Sequence, residues 1–343
     1  MAVELYGQRV QSTVNTEYLP FVVDTTLNSN VLFQRVVRAA KDWKKSAGRS
    51  LRIPIKVSKN TNGGSFRGMD TFSVTATDNR QVLEFTPAFY EIPCVLPGDE
   101  LSVADSDAKI LDLMRLTMQS DAEDMADDLG TIIYSDGTGN SSKDPLGLAA
   151  IVDDGTAVAT IGGLSRTTYA TLKSTVTASG GTLTLAKMDT LRSAITSGMQ
   201  KPSVYYTTEN VWNLYGQLLR PQERINKQVG KVKGMRGGTG FDGLDFGGSD
   251  VVADEKCTTG AFIGLNEDFV DFYGLPFHGT QAIAYKSQIK GNDYNTTLGL
   301  GFSWSGWIVP ENAGAVIGHI YFGGQLVTSN PKRHGKLTGI TGV

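Results

Sequence analysis

The stretch "LSVADSDAKILDLMRLTMQSDAEDMADDLG", residues 101–130, carries an apolar stripe in which Leu111, Met114, Met118, Ala122, Met125 and Leu129 recur at steps of three or four. That spacing places them on one face of a helix. Asp105 or Ser106 is positioned to cap its start. From 106 to 129 such a helix runs about 36 Å at 1.5 Å per residue. A rigid bar of this length must lie across whatever body the rest of the chain forms. Asp121, Glu123, Asp124, Asp127 and Asp128 crowd its last turns. Exposed carboxylates there oppose the helix dipole at about 0.3–1 kcal/mol each. Either a basic partner offsets them or they form a solvated face.

The remaining chain is rich in short strands and turns. Glycine accounts for 40 of the 343 residues, well above the usual ~7%. Many backbone positions therefore turn sharply or approach other backbone closely. Residues 1–30 read as an extended arm. Val31, Leu32, Arg35, Val36 and Ala39 have helical spacing, and Gly48 after a basic run is a stop signal for a short helix over 31–48. "LRIPIKV" (51–57) alternates strictly, with Leu51, Ile53, Ile55 and Val57 on one face; Pro54 confines it to an edge. A turn-rich tip follows. "TFSVTAT" and "QVLEFTPAFYEIPCVL" return as strands, so 51–96 forms a long two-stranded excursion. Such an arm is marginal in water by itself and needs a surface to rest on.

After the long helix, "KDPLGLAAIVDDG" reads as a turn and a short apolar strand. Leu185, Met188, Leu191, Ile195 and Met199 define a helix capped by Thr184. "PSVYYTT" is a strand, and "TTENVWNLYGQLL" is a helix capped by Thr207 or Thr208. "GSDVVAD", "GAFIGLN" and "FVDFYGL" are further strands. Residues 145–280 thus alternate helix and strand as an α+β unit. Leu298, Leu300, Phe302 and Trp304 then alternate with small residues, a period of two. "WIVPENAGAVIGHIYF" adds two short strands around Pro310.

The chemistry-bearing residues do not converge. Cys94 and Cys257 lack CxxC spacing, which argues against zinc and a disulfide framework. His278, His319 and His334 form no metal-binding pattern. "GTGFDG" (238–243) matches GxGxxG, but neither a strand before it nor a helix after it supports a pyrophosphate site; it reads as a loop. "DAEDMADD" lies on a helix and lacks the glycine turn of a calcium loop. The net charge of −3 gives no general attraction to DNA or anionic membranes. The basic groups Lys41, Lys44, Lys45, Arg49 and Lys227, Lys231, Lys233, Arg236 read as solvated faces. No apolar run reaches the roughly 20 residues of a bilayer span, and "MAVELYGQRV" lacks the apolar core of a signal peptide. No enzyme, cofactor or metal is expected.

The order of these parts resembles that of the major capsid proteins of tailed bacteriophages, the Hong Kong 97-type capsid fold. The resemblance rests on 101–134 as the spine helix, 51–96 as the extended loop, "GTGNSSKDPLGLAAIVDDG" as the glycine-rich turn after the spine, and "SVYYTTENVWNLYGQLL" as the axial strand–helix pair. It implies an α+β fold divided into an N-terminal arm and short helix (1–50), an extended hairpin loop (51–96), a peripheral domain with the spine helix (97–144), an axial domain (145–285), and C-terminal strands returning to the peripheral domain (286–343). It further implies a virion protein, assembled in the host cytoplasm, whose partners are copies of itself in hexameric and pentameric capsomers. Portal, scaffolding and decoration proteins are candidates for further partners, and the packaged double-stranded DNA would be touched non-specifically. Inter-subunit pairing is expected between Lys56, Lys59 and Arg67 of the excursion and Asp121, Asp124, Asp127 and Asp128 of a neighbour's helix. An encapsulin-type nanocompartment shell shares the fold and is the alternative. A monomeric α+β enzyme or lectin-like domain is the third reading.

Overall fold

A computed structural model describes residues 30–43, 48–72, 74–103, 107–219, 244–275, 277, 297–299, 301–310 and 314–342. The expected N-terminal arm, the 238–243 loop, the basic group at 227–236, His278, Lys44 and Lys45, and the caps Asp105 and Ser106 lie outside them.

Helix α1 (Val31–Arg38) begins where the Asn30 side chain accepts from the Phe33 amide. It ends ten residues before Gly48, because the chain turns into strand β1 (Lys41–Asp42). Leu32, Phe33 and Val37 are buried, whereas Arg35 reaches Glu267 through two 2.8 Å hydrogen bonds. Strands β2 (Leu51–Lys56) and β3 (Arg80–Phe85) form the expected antiparallel hairpin, with Leu51 opposite Phe85 and Lys56 opposite Arg80. Here the structure departs from the sequence reading. "TFSVTAT" forms no strand among its described residues. The run 81–96 is two strands rather than one: after Pro87 the chain leaves the hairpin as β4 (Ala88–Pro97) and enters a different sheet.

Helix α2 (Asp107–Ile132) is the long bar. Met114, Met118, Ala122, Met125 and Leu129 are buried and Leu111 is half-buried. The stripe packs on β4, whose Cys94 and Leu96 point inward while Phe89, Glu91, Pro93, Val95 and Pro97 point outward. "LAAI" (148–151), expected as a strand, is one helical turn. An apolar run this short satisfies either geometry, and Gly147 closes the turn against the carbonyls of residues 132, 133 and 135.

The next region contains β5 (Thr175–Thr177), α3 (Leu185–Ile195), β6 (Val204–Thr207), α4 (Glu209–Leu219), β7 (Leu244–Phe246), β8 (Ser249–Ala253) and β9 (Phe262–Leu265). Thr184 caps α3 as expected, but the helix stops at Ile195 and Met199 is exposed. Neither threonine expected before α4 caps it: the Thr207 hydroxyl donates to the Ala261 carbonyl and the Thr208 hydroxyl has no partner.

The chain then adds β10 (Val270–Gly274), β11 (Thr297–Gly299), β12 (Phe302–Trp304), β13 (Ala315–Thr328) and β14 (Gly335–Leu337). The alternation across 298–304 is not one strand. Gly301, at φ +96°, reverses the chain, and β11 pairs antiparallel with β12. A Cβ at 301 would lie 2.3 Å from the Gly323 carbonyl oxygen, so no other residue fits. Before Pro310, Ile308 makes only an isolated bridge to Ile317, and beyond it the expected second short strand is the 14-residue strand β13.

Two six-stranded sheets result. In the first, β13 pairs antiparallel with β4 over 315–324, with β12 over 320–322 and with β10 over 324–328. The second runs β7–β8–β6–β9–β14–β5. Two strands therefore lie away from the groups their sequence order implied. Val270–Gly274 belongs with the long helix and β13, and Gly335–Leu337 sits between β9 and β5.

Asp254 joins the halves. Its carboxylate accepts from Asn30 Nδ2 (2.9 Å), the Leu32 amide (3.3 Å) and Tyr134 Oη (2.9 Å), tying the start of α1 to the segment after α2. His334 is buried beneath β9. Its Nδ1 accepts from the Asn266 amide at 3.4 Å, so the proton sits on Nε2, which lies 3.2 Å from Thr328 Oγ1. Burial pushes its pKa down to about 3, which makes it a neutral structural group.

Candidate assembly surfaces

The hairpin has two different ends. At its base, Leu51, Ile55, Leu83 and Phe85 pack with Trp43, Ile161, Leu172 and Val327 in a cluster of their own. Alternation dictates this: inward residues of β2 and β3 are apolar, and Arg52, Lys56 and Glu84 stay outside. Beyond Val57 the ladder ends. The described residues from 58 to 79 are exposed, except Asn62 and Asn79, which are half-buried. Their bonds are local: Asn62 Nδ2 donates to the Thr75 carbonyl, and the Arg67 amide donates to Asp70. Yet this tip carries Phe66 (67% exposed), Met69 (101%), Phe72 (66%) and Val74 (96%). Phe66 and Phe72 touch only edge to face, with centroids 4.9 Å apart. Four large apolar side chains at the end of one projection are a surface awaiting cover.

Lys56, Lys59 and Arg67 are all exposed along this excursion. Among the described residues, no ion pair joins them to the carboxylates of α2 in the same chain. The acidic face of α2 is already partly answered from within. Lys256 pairs with Asp127, and the Tyr90 hydroxyl donates to Asp128. Asp121 is half-buried beside the Cys94 thiol; burial raises its pKa, the thiol hydrogen bond opposes that rise, and nearby Asp124 adds to it. Asp124 and Glu123 face outward. Of the four acidic residues singled out in the sequence, Asp124 is therefore the one that is exposed without a charged or hydroxyl partner from another element. Sequence alone could not locate Lys256, which lies 129 positions from Asp127.

Elsewhere the charged groups are spent on structure. A cavity of about 400 Å³ lies between α1 and strands β9 and β10. Its Arg35 is paired with Glu267, and its Asp271 with Lys41. His319 Nδ1 lies 2.8 Å from the Glu91 carboxylate and its ring stacks on Tyr321. Both cysteines are buried and free. Among the described residues no three metal-ligating side chains cluster, and no helix is long and apolar enough to cross a membrane.

Neither a protein-family model nor a curated protein matches the sequence. Solved structures do match the fold. The capsid protein of cyanophage A-1(L) superposes with a TM-score of 0.65 at 16% identity, covering 90% of this chain and 92% of that one. The capsid of the myovirus phage XM1 gives 0.51 at 11%, covering 90% and 92%. The encapsulin SrpI from Synechococcus elongatus PCC 7942 gives 0.50 at 12%, covering 77% of each chain. At these identities the likeness concerns architecture, and it spans nearly the whole chain: the protein has the α+β Hong Kong 97-type capsid fold.

Proposed function

We propose that this chain is the major capsid protein of a tailed phage, which assembles into the hexamers and pentamers of an icosahedral shell around double-stranded DNA. The observation that carries the reading is the apolar, uncovered tip at 58–79 on a base that is firmly built into its own body. Burying the tip on an adjacent copy supplies the missing surface, and a rigid 26-residue helix keeps each tile stiff. The shell reading gives the chain no catalytic role. A net charge of −3 suits a container whose wall must not hold its DNA tightly. The closer likeness to the cyanophage capsid, in both score and coverage, favours a phage shell over the encapsulin alternative.

Contacts between Lys56, Lys59 and Arg67 and the acidic helix face of a neighbour remain part of this proposal, with Asp124 as the principal acceptor. Charge reversal at Asp124 is expected to weaken assembly in a salt-dependent way. Unchanged assembly would remove that contact from the scheme.

The test is to express the full chain and image it by cryo-electron microscopy. Closed shells with six-fold and five-fold capsomers are expected. Particles assembled in a phage-producing cell should hold dense nucleic acid, whereas a protein cargo would favour the nanocompartment. A monodisperse monomer at high concentration would exclude both.

A further inference from the structure

Arg166 is the only arginine among the described residues whose whole side chain is removed from solvent. Its guanidinium gathers four carbonyls from three segments: Ala150 (2.5 Å) and Ile151 (3.2 Å) at the helical turn, Val158 (2.8 Å) in the following loop, and Leu172 (3.1 Å). Asp153, equally buried, lies 3.5 Å away and balances the charge. Asp153 is itself held by the amides of Gly155 and Val158, and Lys336 of β14 lies 3.7 Å from it. A buried arginine with this many partners fixes the segments it bonds, because each carbonyl would otherwise be left without a donor.

What it fixes leads outward. Arg166 directly follows a small ladder formed by Thr160–Ile161 and Leu164–Ser165, and its own amide continues that ladder to the Ala159 carbonyl. The turn of the ladder presses on the projecting hairpin. The Gly162 carbonyl accepts from the Glu84 amide at 3.0 Å, and a Cβ at 162 would lie 2.8 Å from the Leu83 Cβ. Leu172, whose carbonyl Arg166 also holds, packs against the hairpin base.

We propose that Arg166, without touching the hairpin, sets the direction in which the hairpin leaves the body. It is a positioning residue acting through the 160–165 ladder and Leu172. The pose is a property of the single chain; its consequence for assembly rests on the shell reading above. A tile whose arm is aimed wrongly cannot place its apolar tip on a neighbour at the angle a closed shell requires.

The test uses spin labels at Gly64→Cys on the tip and Ser193→Cys on α3. Native Cys94 and Cys257 are buried, so labelling is selective. Distances are measured by pulsed electron resonance on the full chain, diluted below the concentration at which particles form. Arg166→Lys keeps the charge but cannot bond four carbonyls. Gly162→Ala leaves the arginine network intact and pushes the ladder off Leu83. Each is expected to give a broader distance distribution with a shifted maximum, while cooperative melting is retained. A lowered melting temperature with an unchanged distribution would mean that Arg166 merely stabilises, and would overturn the proposal. Should Arg166→Lys fail to fold, Gly162→Ala decides alone, since an unmoved hairpin there breaks the link through the ladder. Under the shell reading both variants also yield fewer closed particles and more open sheets. If the unmutated chain forms no particles, the shell reading falls and the distance result still stands.

Discussion

The base and the tip of one hairpin meet opposite fates. Leu83, near the base, is fully buried; Met69, near the tip, is wholly exposed. Both are large apolar side chains on the same excursion. The base gains its stability from the chain's own core, through Trp43, Leu172 and Val327. The described residues of the tip have no such contacts and no strand ladder. A chain that placed apolar groups at both ends for folding alone would have buried both. On the proposed shell reading, the division separates residues that make the tile from residues that join tiles.

The largest expected effect lies at the base. Leu83→Ala should cost about 2–5 kcal/mol of unfolding free energy, as a buried large-to-small change does. Denaturant titration of the unassembled chain checks it, and a loss below about 0.5 kcal/mol, as at surface sites, would erase the distinction between the two ends.

Acid should act next, and on the body rather than the tip. His334 has an ordinary pKa of 6.5 and is held near 3 by burial. Its folded value is depressed, so its contribution is fully present above pH 6.5 and is lost as pH falls towards 3. Unfolding in that window should take up one proton at this site. His334→Gln should flatten the dependence, measured as melting temperature against pH.

A smaller effect is expected at the acidic end of the long helix. The Lys256–Asp127 pair is largely solvent-exposed on its carboxylate side. Lys256→Met should change stability by at most about 1 kcal/mol, and less at high salt. A much larger loss would mean that the helix end depends on in-chain neutralisation, leaving it little to offer a neighbour.

The smallest stability effect should come from the tip. Replacing Phe66 and Phe72 together by serine should leave unfolding free energy within about 0.5 kcal/mol and yet abolish particle formation, read by sedimentation velocity.

Periodicity made the long helix and the hairpin base legible, because each keeps one register over its whole length. Met118, Met125 and Leu129 occupy the buried face that their spacing implies. It failed where the chain changes partner inside one apolar-rich run. Across Thr86 and Pro87 the inward positions shift from odd (Leu83, Phe85) to even (Cys94, Leu96), and the chain passes into a different sheet. Likewise Phe302 and Trp304 extend an alternation that Gly301 has already folded back. The order of parts was enough for the overall architecture. The assembly surfaces were legible only in part. Exposure of Phe66 and Phe72 depends on what the rest of the chain leaves uncovered, and the partners of Asp127 and Asp128 come from distant sequence. Arg166 carries no local signal at all: its four acceptors are backbone carbonyls, which any sequence supplies.

Hydrogen exchange at residues 57–79, compared between the unassembled subunit and the assembled particle, tests the account most directly. The amides of the tip should exchange quickly in the subunit and become protected in the particle, while those of β2 and β3 stay protected in both. A tip already protected in the isolated subunit, or still exchanging quickly inside a closed particle, would contradict it.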